Sequence, residues 1–250
     1  MSTSHKKLAG KVALVTGASK GIGAAIATHL GAEDAAVVVN YASSGEGAER
    51  VVKKISAEGG KAVAIQGDVS KLADIERLMG EIKQTFGRLD ILVNNAGIYE
   101  RAPVGQIKEE LYRRIFDLNV LGLILTTQEA LKLMGEGGSI INISSVVSTL
   151  SPPENAVYNA SKSAVDNLTR TFAKELGRKK IRVNSVNPGM VETEGLHSSG
   201  IISMKDQIIP QLPLGRIGQP DDIAPAVVFL ASSDSKWMTG ETFYVTGGIH

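Results

Sequence analysis

Tyr158 and Lys162 stand four residues apart in Tyr158-Asn159-Ala160-Ser161-Lys162, opening a segment that runs on through Ala164, Val165, Leu168 and Phe172 at helical spacing. Residues i and i+4 share a helix face, so the phenol and the ammonium project together. A free tyrosine titrates at ~10, too high to ionise readily at neutral pH. A neighbouring ammonium favours the phenolate and lowers that value, giving a general acid or base nearer working pH. The four-residue pattern alone also fits a solvated Tyr and Lys on an exposed face. Ser144 and Ser145 close the apolar run Ser139–Ser144, thirteen residues before Tyr158 in the case of Ser145. A hydroxyl there can hold a substrate oxygen as charge develops on it. Asn94-Asn95-Ala96-Gly97 ends another apolar run, and Asn119 interrupts a long apolar stretch. A buried asparagine needs partners; Asn119 either anchors a water or serves to kink or pack its helix.

A second cluster follows the first apolar run. Thr16-Gly17-Ala18-Ser19-Lys20-Gly21-Ile22-Gly23 spaces its glycines GxxxGxG, not the GxGxxG of the common dinucleotide fingerprint. Glycines in such a turn let the backbone approach a pyrophosphate and start a helix whose N–H groups face the anion. They also serve in ordinary turns that need positive φ. NAD enzymes commonly place an acid ~20 residues on, for the ribose 2′-OH. Here that position reads Asn40-Tyr41-Ala42-Ser43-Ser44, without a carboxylate. Asn40, Ser43 and Ser44 are expected to donate to a 2′-phosphate, with Lys20 adding a cation, so the expected cofactor is NADP(H).

These residues must be positioned by the elements between them. Apolar runs recur at Val12–Thr16, Ala36–Asn40, Ala62–Gln66, Ile91–Asn94, Ser139–Ser144 and Arg182–Val186. Several are apolar throughout, as strands buried on both faces are. Helical patterns separate them: Gly23–Leu30, Gly45–Ala57, Ile75–Thr85 and the long, mostly buried Glu109–Leu133. Alternating β and α predicts right-handed crossovers and a parallel sheet covered on both faces, a doubly wound α/β fold. The 250 residues contain no linker or repeat and are expected to form one domain, with residues 1–7 a polar tail. Residues 194–218 carry Gly195, Gly200, Pro210, Pro213, Gly215 and Gly218. They read as an excursion that could close over substrate, or as a surface loop.

Composition excludes other chemistry. With 27 Lys and Arg against 26 Asp and Glu, net charge +1 gives no reason to expect nucleic acid or a charged membrane as partner. The absence of cysteine rules out disulfides and thiolate catalysis. His5, His29, His197 and His250 show no ligand spacing, so no metal site is expected; His197, within the excursion, could touch substrate or face solvent. No apolar stretch approaches the ~18 residues of a membrane span, and the cytoplasm is the expected compartment.

Together these motifs resemble the short-chain dehydrogenase/reductase family, from about Leu8 to Gly248. The residues carrying the likeness are the glycine turn, Asp68, Asn94-Asn95-Ala96-Gly97, Asn119, Ser145, Tyr158, Lys162 and Pro188-Gly189. The resemblance implies a Rossmann fold with a seven-stranded parallel sheet, whose last strand matches Gly240-Glu241-Thr242-Phe243-Tyr244-Val245-Thr246-Gly247-Gly248, and a homotetramer. It implies that Tyr158 gives its proton to a carbonyl oxygen, that Lys162 binds the nicotinamide ribose and tunes Tyr158, that Ser145 orients the substrate, and that Asn119 holds a relay water. It places Gly17, Ser19, Lys20, Gly21, Ile22, Gly23, Asp68, Val69, Asn95, Ala96, Gly97, Pro188, Gly189, Val191 and Thr193 against the cofactor, with Asp68 at the adenine. Within the family, Asn40-Tyr41-Ala42, Ser144-Ser145-Val146-Val147 and Pro188-Gly189-Met190-Val191-Glu192-Thr193 are similar to 3-oxoacyl-acyl-carrier-protein reductases. Those reductases dock their acidic carrier on two arginines, matched here by Glu136 and Lys179. The sign reversal at Glu136 opposes an acidic partner and keeps a free ketone, aldehyde, alcohol or sugar, as in glucose dehydrogenases, in view. A non-catalytic NADP(H)-binding sensor on the same fold is a further reading, opposed by the intact Ser145, Tyr158 and Lys162.

Overall fold

The computed structural model describes residues 6–198 and 205–249. β1 (Val12–Val15), α1 (Gly21–Ala32), β2 (Ala36–Tyr41), α2 (Gly45–Ala57), β3 (Lys61–Gln66), α3 (Leu72–Phe86) and β4 (Leu89–Asn94) alternate along the first half. The second half adds α4 (Glu109–Phe116), α5 (Leu123–Ala130), β5 (Met134–Ile143), α6 (Val147–Leu150), α7 (Ala156–Leu176) and β6 (Arg182–Pro188). It closes with α8 (Glu194–Ser198), α9 (Lys205–Ile208), α10 (Pro220–Ala231) and β7 (Thr242–Val245). The strands form one seven-stranded sheet in the order β3-β2-β1-β4-β5-β6-β7, parallel at every pairing.

The uninterrupted apolar runs are explained by two cores. Successive side chains of a strand point to opposite faces. Ala13, Val15, Val37, Val39, Ile91, Val93, Ile141 and Ile143 pack on one face with residues of α1, α2 and α10. Val12, Leu14, Val38, Leu92 and Ile140 pack on the other with residues of α3 and α7. The chain winds outward from β1 to β3, then returns to lay β4 beside β1. Both crossovers leave a crevice beyond the carboxyl ends of β1 and β4, where open α/β sheets bind ligands.

Two expectations are revised. β5 begins at Met134, not Ser139, because Leu89 pairs with Met134 across a register shift that the polar, glycine-rich Gly135–Gly138 does not advertise. The expected single buried helix over Glu109–Leu133 is two α-helices joined by a π-helical turn at Asp117–Gly122, and much of α4 is exposed. Such turns insert a residue and re-aim a side chain; here the side chain is Asn119. Of the proposed 194–218 excursion, residues 199–204 and the side chain of His197 lie outside the described residues, as do residues 1–5 of the tail.

The π turn ends where backbone meets backbone. A Cβ on Gly122 would lie 2.5 Å from the Val69 carbonyl oxygen, and neither main chain can give way cheaply. Gly122→Ala should therefore destabilise despite alanine's better helix propensity, by about 1–3 kcal/mol. Thermal unfolding should show a Tm lowered by several degrees; an unchanged or raised Tm would contradict the close approach.

Candidate active site

The chemistry-bearing side chains converge beyond the carboxyl ends of β4, β5 and β6. Ser145 lies two residues past β5, in a turn held by Ser144 N–H to Val186 O (2.9 Å) and Val146 N–H to Pro188 O (2.9 Å). Tyr158 and Lys162 occupy the first turns of α7. The Ser144 hydroxyl donates to the Lys162 carbonyl (3.1 Å), tying this helix to the strand end. Lys162 Nζ is buried, donates to Ile143 O (2.9 Å), and lies 5.8 Å from the centre of the Tyr158 ring. Asn119 clamps Ile98, accepting from its N–H and donating to its carbonyl at 2.9 Å each. It also donates to Ser161 Oγ (3.2 Å), which donates to Tyr158 O (2.8 Å). Gly97 makes this approach possible, since a Cβ there would stand 3.2 Å from Asn119 Oδ1 and 3.6 Å from Lys162 Nζ.

The electrostatics correct one expectation. Burial pushes the Tyr158 phenol up to about 12, hydrogen bonding from Ser145 works against it, and Tyr99 adds to the upward push. Lys162 is not among the causes: its ammonium turns to Ile143 O, and burial draws its own pKa down to about 8 while Asp166 opposes the fall. In this structure burial holds the Tyr158 phenol above its ordinary value, and Lys162, turned to Ile143 O, does not offset it.

The glycine turn fits the diphosphate of a dinucleotide. Gly17 and Gly21 have φ of +62° and +56°, a backbone that favours glycine. No side chain caps α1 and its first turn holds no acid, so its leading N–H groups suit an anion. A Cβ on Gly17 would meet Ala96 Cα at 3.0 Å, and one on Gly21 would meet Thr193 Cγ2 at 3.3 Å. The turn is thus packed against both Asn95-Ala96-Gly97 and the segment Pro188–Thr193. Gly189 admits the backbone of Thr246, 2.8 Å from its absent Cβ. Lys20, Ala42 and Ser43 are exposed, and Ser19, Ile22, Tyr41 and Ser44 are partly so, around the same end of the sheet.

Other expected cofactor residues have internal duties. Asn40 is buried; its amide donates to Ile65 O (3.3 Å) and Gly67 O (3.0 Å), and its oxygen accepts from Gly17 N–H (3.3 Å). Its donors are spent, so the expectation that Asn40 binds a 2′-phosphate is overturned; Ser43, Ser44 and Lys20 retain accessible groups. Val69 buries its side chain in the core cluster that includes Ile75 and Leu78. Asn95 donates to the carbonyls of Thr16 (2.9 Å) and Gly17 (3.1 Å), and Gly23 is required there because its Cβ would lie 2.4 Å from the Asn95 amide. Asp68 accepts from the Ser70 N–H and hydroxyl; burial raises its pKa, but these bonds and Lys71 outweigh that and hold the carboxyl below its ordinary value.

Residues not singled out from the sequence complete the arrangement. Asn187 donates to Ser145 O (3.2 Å) and to the buried carboxylate of Asp166 (3.0 Å), bracing the serine turn against α7. Gly47 lets the β1 and β2 turns meet: a Cβ there would fall 2.7 Å from both Ser19 O and Ser44 Oγ. Asp166 lies four residues beyond Lys162 and could have been found by the same i, i+4 spacing. Asn187 and Gly47 carry no signal before the strands are assembled.

A partly buried phenol, a buried lysine and a glycine turn that opens an uncapped helix at one sheet edge define a class of nucleotide-dependent oxidoreductase. A family model described as enoyl-(acyl carrier protein) reductase matches residues 17–250, and the chain belongs to the short-chain dehydrogenase/reductase family. An uncharacterised oxidoreductase of Methylorubrum extorquens is 57% identical over 245 residues, covering 97% of this chain and 99% of that protein. A hydroxynaphthalene reductase-like protein, Arp2, of Metarhizium guizhouense is 41% identical over 256 residues, covering 97% and 96%. The solved structure of the angucycline C-6 ketoreductase LanV with bound NADP is 35% identical, covers 97% of this chain and 96% of that one, and superposes with a TM-score of 0.91. The expectation of an NADP-dependent oxidoreductase agrees with these findings. Among the described residues no helix is long and apolar enough to cross a membrane, and no cluster could hold a metal ion.

The buried ammonium has a measurable signature. Below pH 8 folded and unfolded chains both carry the Lys162 charge, and the folded chain bears the cost of burying it. Between pH 8 and 10.5 the unfolded chain holds the proton while the folded chain releases it, so this contribution to stability rises with pH. Lys162→Met lacks that titration. Urea unfolding of both proteins at pH 7.5 and 10.5 should show wild type gaining up to about 3 kcal/mol relative to the variant. Parallel pH responses would mean the ammonium is not buried.

Proposed function

We propose that this chain is an NADPH-dependent ketoreductase in which Tyr158 protonates the carbonyl oxygen of a free, ring-bearing ketone. The observation that carries the reading is the convergence of Tyr158, Lys162 and Ser145 at one sheet edge with the glycine turn, Lys162 Nζ lying 5.8 Å from the centre of the Tyr158 ring. NADPH, when bound, would supply a hydride for the carbonyl carbon. Lys20, Ser19 and the turn's N–H groups hold its diphosphate end, with Ser43 and Ser44 donating to the 2′-phosphate; Lys162 holds the nicotinamide ribose through ammonium protons not used by Ile143. Ser145 donates to the substrate oxygen and holds it at the Tyr158 hydroxyl. As the carbon is reduced, negative charge gathers on that oxygen, and Tyr158 transfers its proton there, completing the alcohol. The nearby lysine charge then stabilises the phenolate left behind. Asn119 keeps Ile98 and the helix start in place and is a route for returning the proton through water.

The substrate reading rests on two supports. Relatives are named for reduction of hydroxynaphthalenes and of an angucycline ketone. Glu136, where carrier-docking reductases are implied to hold an arginine, is exposed and ion-paired with Lys180 at 2.9 Å. A carrier-linked 3-oxoacyl group is the competing substrate, favoured by the family model's description.

Tyr158→Phe keeps the ring and loses the proton. Reduction of a ketone panel should fall by at least about a hundredfold, the usual share of a general acid, while NADPH still quenches or shifts Trp237 or nicotinamide fluorescence on titration. Near wild-type kcat in that variant rules the assignment out. With wild-type protein, kcat/KM should favour NADPH over NADH, because no carboxylate stands at the end of β2 to repel a phosphate; a preference for NADH would overturn the cofactor reading.

A further inference from the structure

Tyr99 was marked by no motif, yet it borders the reacting phenol. It follows Ile98 in the segment beyond β4, and its ring centre lies 5.6 Å from that of Tyr158, with the planes tilted by 50°. Its hydroxyl donates to Gly195 O at 3.0 Å, in α8. The residue before it is clamped on both main-chain groups by Asn119. The ring is therefore pinned at its backbone end by α5's preceding π turn and at its hydroxyl end by α8. Tyr99 is only partly buried, so part of the residue remains accessible.

We propose that Tyr99 is a specificity-determining residue, a fixed aromatic wall beside Tyr158 that selects ketones carrying a planar aromatic ring. This rests on the ketoreductase reading above. A ketone accepting the Tyr158 proton brings its substituents within reach of the neighbouring ring. A flat π-face there gains offset or edge contact with Tyr99, which a saturated chain does not match. Because both ends of Tyr99 are already held, little rotamer freedom is lost when a ligand arrives. The proposal adds no step to the reaction; it sets which ketone reaches it.

The test compares 1-tetralone, a bicyclic aromatic ketone, with ethyl acetoacetate, an aliphatic one, in wild type, Tyr99→Leu, Tyr99→Phe and Tyr99→Trp. NADPH affinity, measured by fluorescence, serves as the check on folding. In Tyr99→Leu, KM for 1-tetralone should rise about tenfold with kcat little changed, while KM for ethyl acetoacetate stays within about threefold. Tyr99→Phe and Tyr99→Trp keep a ring and should keep the wild-type preference for the aromatic ketone. Loss of that preference in both ring-bearing variants, or equal KM shifts for the two ketones in Tyr99→Leu, overturns the inference while leaving the ketoreductase reading intact. Should Tyr99→Leu fail to bind NADPH, the two ring-bearing variants decide the matter. Wild type that reduces neither ketone while binding NADPH overturns the ketoreductase reading and this inference with it.

Discussion

Lys162 is 5% exposed and carries an ammonium that has given up nearly all of its water. Removing a charge from water is costly unless hydrogen bonds and opposite charge replace the solvent. The surrounding structure is arranged to supply them. Ile143 O accepts from Nζ, Asp166 contributes a carboxylate four residues on, and Gly97 has no side chain where one would crowd Asn119. Burial also raises the pKa of Tyr158, because loss of water disfavours a phenolate. The lysine charge is held close by, 5.8 Å from the ring centre of Tyr158.

The cofactor side depends on backbone proximity. Asn95 bonds two carbonyls of the glycine turn, Asn40 bonds its first glycine N–H, and Gly23 leaves space for the Asn95 amide. The polar residues nearest the turn thus set its shape, and the exposed Lys20, Ser43 and Ser44 remain to meet a ligand. Shape comes from buried amides and contact from surface groups. Both are polar residues near glycines, which is why sequence alone assigned Asn40 to the wrong task.

Much of this was legible before folding. Apolar runs without alternation marked strands buried on both faces, and the two cores divide Ala13 and Val15 from Val12 and Leu14 accordingly. The spacing of Tyr158 and Lys162 put them on one helix face, and the strand-end position of Ser145 put it at the same sheet edge. The π turn at Asp117–Gly122 was hidden, since no local preference separates it from an α-helix; it exists because Asn119 must reach Ile98 and Gly122 must pass Val69. Asn187 and Tyr99 were hidden for a related reason: their partners lie far away in sequence.

The sequence by itself determined the fold class and the pairing of Tyr158 with Lys162 on one helix face, because those rest on periodicity and short-range spacing, while the joining of Ser145 and the glycine turn to them rested on the family resemblance. The tertiary structure alone decided the upward pKa shift of Tyr158, the internal role of Asn40 and the placement of Tyr99. Each of these depends on how much water is excluded and which distant groups replace it. Desolvation is a property of the assembled interior, and the i, i+4 spacing of Tyr158 and Lys162 carries no record of it.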